Sequence, residues 1–197
     1  MLCANISIMT ATAPPGKRAR TRARLQLCAL ELFERKGFEQ TTVTQVAEAA
    51  GVTPMTFFRH FNTKAQALLD DPYDPLIAAA IAGQPRTWGP RARVVAGLRH
   101  AWRALPEPTS DVERRRVRVV AATPSLWGEM HANNRRTDRM MVDQLVADGA
   151  DRLAARASAA AVLAAITAAL LEWSQSDDGN IGAAVEGALA ALEGSDG

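Results

Sequence analysis

The chain has 197 residues, enough for a small module joined to a larger body, because domains commonly hold roughly 100–150 residues. Hydrophobic residues make up 48% and charged residues 22%, which excludes a disordered chain and predicts a packed core. The net charge of +2 is unevenly distributed, since residues 1–64 hold nine basic and four acidic residues, net +5, and the remainder carries −3. Only the N-terminal part is therefore expected to bind an anionic partner.

Residues 1–16 are expected to form a disordered tail. They are uncharged, lack the basic segment of a signal peptide, and are too short and polar to span a bilayer. We therefore expect a cytoplasmic protein with no membrane partner, with translation starting at Met1 or Met9. Two cysteines cannot build a disulfide framework, and Cys28, on an apolar helical stripe, is expected to be a buried thiol.

The first predicted helix begins at about Arg18 and should end at Gly37, a residue suited to the position after a helix. Apolar residues at helical spacing form its inner face: Leu25, Cys28, Ala29, Leu32 and Phe33. A second, short helix is predicted to begin at a capping box of Thr42 and Gln45 and to run through Ala50.

A tight corner and a third helix follow. Gly51 can adopt the left-handed conformation, Thr53 can cap a helix, and Pro54 suits the first helical position. The third helix should extend to about residue 59, with Phe57 and Phe61 in the core.

The remaining pattern is helical throughout. A longer helix should run from a capping box at residues 63–66 towards Gly83, with a break near Asp71 caused by two nearby prolines. Later helices are predicted at roughly 89–105, 110–122, 125–148, 156–176 and 181–193. The expected fold class is all-α, with a three-helix head at residues 17–64 and a helical body at 65–197.

Residues 41–64 have the order of a helix-turn-helix: a helix, a turn containing glycine, and a short second helix whose start can reach base edges. A three-helix structural module without a DNA role would share these features. The basic run Lys17–Arg24, together with Arg59, His60 and Lys64, favours DNA, because phosphate binding needs cations around the second helix.

Several motifs in this region resemble, at the right spacing, the N-terminal signature of the TetR family of repressors. The matching residues are Phe33, Gly37-Phe38, Thr41-Thr42-Val43, Val46-Ala47, Ala50-Gly51-Val52-Thr53, Phe58-Arg59-His60-Phe61 and Lys64. The resemblance covers about residues 18–70. It implies a homodimer that binds a double-stranded DNA operator, a helix-turn-helix head, and a divergent body that binds a small-molecule effector.

The resemblance also implies roles for single residues. Thr42 and Lys64 look like phosphate contacts, and the recognition helix begins with base-facing residues. Phe58 replaces the family's usual tyrosine, so a phosphate hydrogen bond from a phenolic hydroxyl is lost at this position. Arg59 or His60 must then position the helix instead, although Arg59 could also be an ordinary solvated cation. The predicted DNA-binding residues are Arg18, Arg20, Thr42, Thr53, Pro54, Met55, Thr56, Phe58, Arg59, His60 and Lys64.

The body, at about residues 84–175, is expected to enclose a largely apolar effector pocket, because bulky residues occur there among many alanines. Arg118 and His131 could anchor a carboxylate or hydroxyl. The residues predicted to bind the effector are Trp88, Trp102, Arg118, Trp127, Met130, His131 and Met141. Ser158–Gln175 and Ile181–Leu192 are expected to form the dimer interface as a four-helix bundle, the alternative being two core helices of one chain.

The sequence leaves two other classes of protein for comparison. An enzyme is not favoured, because the sequence has no zinc spacing and no glycine-rich phosphate loop, and its histidines are scattered; no cofactor or metal is expected. A DNA-binding architectural or interaction protein without a ligand switch remains the alternative.

Overall fold

The computed structural model describes residues 16–69, 74–103, 110–177 and 179–193. Within these ranges it contains α-helices and no β-strand, which confirms the all-α class. The helices are α1 (Lys17–Lys36), α2 (Val43–Ala49), α3 (Pro54–Phe58), α4 (Gln66–Leu69), α5 (Asp74–Ala82), α6 (Pro90–Arg103), α7 (Ser110–Ala121), α8 (Ser125–Ala147), α9 (Arg152–Gln175) and α10 (Ile181–Glu193).

The chain forms two compact units. The head unit comprises Met1–Asp70 and Val119–Glu129, and the body unit comprises Asp71–Arg118 and Met130–Gly197. The proposed head of residues 17–64 lies within the first unit. That unit also takes in the corner where α7 ends and α8 begins, which the sequence pattern did not indicate.

The core of the head unit is the apolar face predicted for α1. All five residues of that face are buried, and Phe33 contacts Phe38 edge to face with 5.1 Å between ring centroids. Phe57 and Phe61 are also buried, with centroids 5.4 Å apart. Cys28 is buried, as its place on the stripe predicted.

The α7–α8 corner is fixed within the head unit by polar contacts. The Thr63 hydroxyl donates to the Glu129 carboxylate at 3.0 Å. The Ser125 hydroxyl donates to the Glu39 carboxylate, and Leu126 between these two contacts is completely buried. The corner is covalently continuous with the body portions of α7 and α8.

The body unit packs α5, α6, α8, α9 and α10 around one core. Its fully or almost fully buried residues include Ile81, Val94, Met141, Leu145 and Leu189. One ion pair is buried beside them: the Arg93 guanidinium donates to the Ile81 carbonyl at 3.1 Å and to the Asp148 carboxylate at 2.6 Å. The hydrogen bond from Arg93 holds the pKa of Asp148 below its usual value, with Gln144 contributing a second bond.

The observed helix bounds differ from the prediction mainly at α9. This helix begins at Arg152 rather than at 156, because the Asp151 side chain accepts a hydrogen bond from the Ala154 N–H at 2.9 Å and caps it. Residues 1–15 of the predicted tail at 1–16, the break near Asp71 and residues 104–105 lie outside the described residues.

Gly97 sets how closely α5 and α6 approach. A Cβ atom at this position would lie 2.7 Å from Ile81 Cγ1 and 2.9 Å from the Ile81 backbone nitrogen. Backbone atoms cannot move aside as a flexible side chain can, so an alanine would force the two helices apart.

Gly97→Ala is therefore expected to lower the free energy of unfolding by about 1–3 kcal/mol, the usual cost of overpacking a core. Denaturant unfolding of the purified variant measures this. Gly128→Ala is the matched control, since Gly128 lies in α8 and a Cβ atom added there would meet nothing within 4 Å. Better helix propensity should leave that variant as stable as the wild type or more stable. Equal stability of Gly97→Ala and wild type would contradict the close approach.

Candidate nucleic-acid interface

The first helix of the motif, α2, begins as predicted. The Thr42 hydroxyl accepts from the Gln45 N–H at 3.2 Å, and the Gln45 side chain accepts from the Thr42 N–H at 3.1 Å. This reciprocal pair satisfies two backbone donors that a helix start would otherwise leave unpaired. Thr42 itself is exposed, so its O–H can still donate to an outside acceptor such as a phosphate.

The turn between α2 and α3 depends on one glycine. Gly51 has a φ of +62°, a conformation that L side chains rarely adopt, and Val52 N–H then donates to the Ala47 carbonyl at 2.9 Å. Thr53 caps α3 by accepting from the Thr56 N–H at 3.2 Å, and Pro54 occupies the first turn. The predicted helix, turn and helix are thus confirmed in their local geometry.

The α3 helix buries one face and exposes another. Phe57 is fully buried, and it holds α3 against the head core together with Phe61. Met55 and Phe58 are exposed by 70% and 51%. They are three residues apart, so they share a face of the helix that is apolar and open to solvent.

Arg22 links α1 to the residues that follow α3, and the sequence did not single it out. Its guanidinium donates to the His60 carbonyl at 3.1 Å and lies 4.5 Å from the centroid of the Phe61 ring. Partial burial lowers the pKa of His60, and the neighbouring Arg18 and Arg22 lower it further. His60 is therefore neutral at physiological pH, and the fixed positive charge here comes from the arginines.

Most of the basic residues of the head are open to solvent. Seven of the nine are exposed, whereas Arg22 and Lys64 are partly buried. The exposed ones are Lys17, Arg18, Arg20, Arg24, Arg35, Lys36 and Arg59. Arg18 lies one helical turn before Arg22 on α1, and its charge helps to lower the pKa of His60.

Lys64 has a role inside the head that the sequence did not reveal. Its ammonium donates to the carbonyls of Phe38 at 2.7 Å and Thr41 at 3.1 Å, with Glu39 at 3.4 Å, and lies 4.2 Å from the centroid of the Phe38 ring. Three carbonyls match the three donors of an ammonium. Lys64 therefore holds the loop between α1 and α2, and its role as a phosphate contact stays a prediction.

Lys64→Met is expected to lower the thermal stability of the protein as well as its DNA affinity, because the methionine keeps most of the unbranched apolar stem but leaves three loop carbonyls without their donor. Thermal unfolding measures the first effect. Lys36→Met, at the exposed end of α1, is the control and should change the melting temperature little. A Lys64→Met protein with wild-type stability would show that the carbonyl contacts contribute nothing.

The residues predicted to bind an effector occupy different environments. Met141 is fully buried and Trp102 packs partly buried against the body core, whereas Trp88 and Trp127 are 46% and 49% exposed. His131 is exposed, and Met130 is partly buried. Trp127 belongs to the head unit and the other six to the body unit.

Arg118, the predicted effector anchor, is engaged within the body unit. It donates to the Ser174 carbonyl and to the Asp177 carboxylate at 2.8 Å, and these bonds hold the end of α9. The bond from Arg118 also holds the pKa of Asp177 below its usual value.

One open groove of about 620 Å³ lies between α5 and α8. Its lining mixes charged, polar and apolar side chains and includes none of the seven predicted effector residues; it comprises Ala78, Arg136, Arg139, Met140, Asp143, Gln144 and Ala147. Among the described residues, no cluster of three or more histidine, cysteine, aspartate or glutamate side chains is placed to hold a metal ion.

The α9 helix is apolar on a face that one chain does not cover. Val162 and Trp173 are buried in the body unit, while the opposite stripe of small residues is exposed, at Ala157, Ala160, Ala161, Ala164 and Ala168. By length and composition alone, this is the one described helix that could cross a membrane, although only 17% of its most apolar segment is buried. Core helices of soluble proteins can be equally long and apolar, so these two properties alone do not indicate a membrane span.

Comparison with known proteins gives the class of this molecule. Residues 28–70 match the family described as bacterial regulatory proteins, tetR family, and residues 90–196 match the MftR C-terminal domain. The chain belongs to the TetR family of bacterial regulatory proteins, a class of DNA-binding regulators rather than enzymes.

Among its relatives, the transcriptional regulator TcmR of Streptomyces glaucescens is 37% identical over 124 residues, or 57% of this chain and 53% of TcmR. The match thus spans about half the length of that relative. NalD, the secondary repressor of the MexAB-OprM multidrug efflux pump in Pseudomonas aeruginosa, has the same fold, with a TM-score of 0.57 and 20% identity over 91% of this chain and 96% of NalD. SmeT, the repressor of the Stenotrophomonas maltophilia efflux pump SmeDEF, has a TM-score of 0.52 and 20% identity over 88% of this chain and 89% of SmeT.

Proposed function

We propose that this protein is a sequence-specific, DNA-binding transcription repressor that acts in the cytoplasm as a homodimer. The observation that carries the proposal is the α3 helix, which is capped by Thr53, packed on the core through Phe57, and exposed on the face that includes Met55 and Phe58. A helix held in this way can enter the major groove while exposed arginines meet the phosphates on either side.

A charge placed on α3 tests this role. Thr56→Asp puts a carboxylate at the third position of α3, where it suits the helix dipole but repels DNA phosphates. We expect a folded protein whose affinity for an operator duplex falls to that for unrelated duplexes, as measured by fluorescence anisotropy.

Ala92→Asp is the matched control. Ala92 is exposed and also occupies the third position of a helix that begins with proline, α6. This variant should bind the operator as the wild type does. Unchanged binding by Thr56→Asp would overturn the assignment of α3 as the recognition helix.

The dimer is proposed to form through α9 and α10. The α9 and α10 helices pack against each other, and α10, like α9, exposes small residues: Ala183, Gly187, Ala190 and Ala191. Small residues allow helices to approach closely, and two helices from each chain would form a four-helix bundle. Two-fold symmetry would then present two α3 helices to successive major grooves, roughly 34–36 Å apart.

The effector is proposed to be a small hydrophobic or amphipathic molecule bound in the body unit, whose binding releases the operator. Support comes from the family, and from Trp102, which lies partly buried at the edge of the body core. The effector shifts the equilibrium only by as much as its affinities for the DNA-binding and released states differ.

Titration of the operator complex with fatty acids of increasing chain length and with planar aromatic acids tests the switch. We expect at least one compound to lower operator affinity, and Trp102→Ala or Met130→Ala to shift the concentration required. If saturating compound leaves operator affinity unchanged throughout, the architectural alternative without a ligand switch is favoured.

A further inference from the structure

The recognition helix has almost no means of hydrogen bonding to bases. From Pro54 to Phe58 it contains no arginine, lysine, asparagine or glutamine, the residues that form bidentate bonds with guanine or adenine. Thr56 is its one side chain with a hydroxyl. That hydroxyl is hydrogen-bonded to the Thr53 hydroxyl at 3.1 Å, and the Thr53 hydroxyl also accepts from the Thr56 N–H. The capping interaction therefore uses part of the small hydrogen-bonding capacity that the helix could offer to bases.

The same helix exposes an unusual amount of apolar surface. Met55 is 70% exposed and Phe58 is 51% exposed, while the neighbouring Phe57 is fully buried. The Phe58 ring is fixed by an edge-to-face contact with Phe57, with centroids 5.7 Å apart. Met55 and Phe58, three residues apart on one face, thus form a preformed apolar surface in place of a set of polar side chains.

The charge around this surface indicates what covers it. Arg59 follows Phe58 directly and is exposed, and the guanidinium of Arg22 donates to the His60 carbonyl just beyond the end of α3. An apolar surface bordered by cations suits a polyanion that presents an apolar group between its charges. In the major groove of DNA, the C5-methyl group of thymine is the apolar group that base pairs present.

We propose that Met55 and Phe58 recognise thymine methyl groups, so that this protein selects its operator mainly by apolar contact in the major groove. The inference rests on the proposed function, because it assumes that α3 enters that groove. Each half-site then carries thymine where these side chains touch. The hydrogen-bonding groups of the bases contribute less than they do for a recognition helix that bears arginine or asparagine.

Replacement of thymine by uracil isolates the methyl group, since uracil pairs as thymine does and lacks only that group. The experiment measures anisotropy with operator duplexes in which each thymine is replaced in turn, symmetrically in both half-sites. At two positions per half-site, affinity should fall about fourfold for each methyl removed, the effect of one buried carbon at roughly 0.8 kcal/mol, and hence about 15-fold for the symmetric pair at one position.

Variants assign the effect to the residues. Met55→Ala and Phe58→Ala should each abolish the difference between thymine and uracil at one position and keep it at the other. Leu76→Ala, which removes an equally exposed side chain of the body unit, should keep both differences. Cytosine at a contacted position should bind more tightly when it is 5-methylated.

The ways in which this proposal can fail are separable. If no duplex is bound in preference to others, the proposed function itself fails. If an operator is bound specifically but uracil has no effect anywhere, methyl recognition is refuted and the proposed function stands. If the uracil effects persist in both Met55→Ala and Phe58→Ala, other residues contact the methyl groups and the assignment is wrong.

Discussion

Ala164→Arg is expected to convert the dimer to a monomer and to lower operator affinity about 100-fold or more. Ala164 lies in the middle of the exposed stripe of α9, so an arginine there leaves the fold of one chain intact. In the proposed bundle, the same side chain would place an unpaired charge among closely packed alanines, which costs far more than the contact contributes. A monomer then loses the second head, whose contribution through effective concentration is about 10²–10⁴-fold.

Light scattering at micromolar concentration and operator titration measure the two effects. Ala132→Arg on α8, an exposed alanine outside α9 and α10, is the control and should remain dimeric with wild-type affinity. A dimeric Ala164→Arg protein, or a monomeric wild type, would show that the stripe is not the interface.

Operator affinity is expected to fall about 10³-fold or more between 50 and 200 mM salt, as it does when about six or more phosphates are neutralised. Each head has net charge +5 and seven exposed basic residues, and a dimer doubles that number. His60 adds no charge, because burial and the neighbouring Arg18 and Arg22 lower its pKa.

Arg18→Gln should flatten the slope of log affinity against log salt by about two units, since each phosphate contact contributes about 0.9 and a dimer loses two. Arg35→Gln is the control. Arg35 is exposed at the other end of α1, about 25 Å along the helix from Arg18, and should leave the slope unchanged. An operator complex insensitive to salt would exclude phosphate binding by the head.

The parts of the interface that could be predicted from sequence are those decided by neighbouring residues. The capping box of Thr42 and Gln45, the cap at Thr53, and the glycine turn depend on contacts within about four residues, so the local pattern specifies them. The buried face of α1 follows from its helical spacing in the same way.

The parts that could not be predicted depend on contacts between distant residues. Lys64 reaches the Phe38 carbonyl across 26 positions, and Ser125 reaches Glu39 across 86, with no local signal for either contact. Composition also cannot decide which tryptophans are internal. Trp88 lies in the loop before α6 and Trp127 in the first turn of α8, and both are about half exposed.

The start of α9 could not be predicted from the sequence pattern either. Its sequence is so rich in alanine that polar and apolar faces differ little, and periodicity alone placed the start at residue 156. The Asp151 cap, rather than the apolar pattern, determines that the helix begins at Arg152.

Selection of bound fragments from sheared genomic DNA by the purified protein tests whether it recognises an operator through α3. Sequencing of the retained fragments should reveal a short palindromic site whose two half-sites lie one helical turn apart, at about 10–10.5 base pairs or a multiple of it, as a symmetric dimer with two recognition helices requires. Thr56→Asp should retain no such site, and Ala92→Asp should retain the wild-type one. Retention of fragments without a common sequence by the wild type, or the same site retained by Thr56→Asp, would contradict operator recognition through α3.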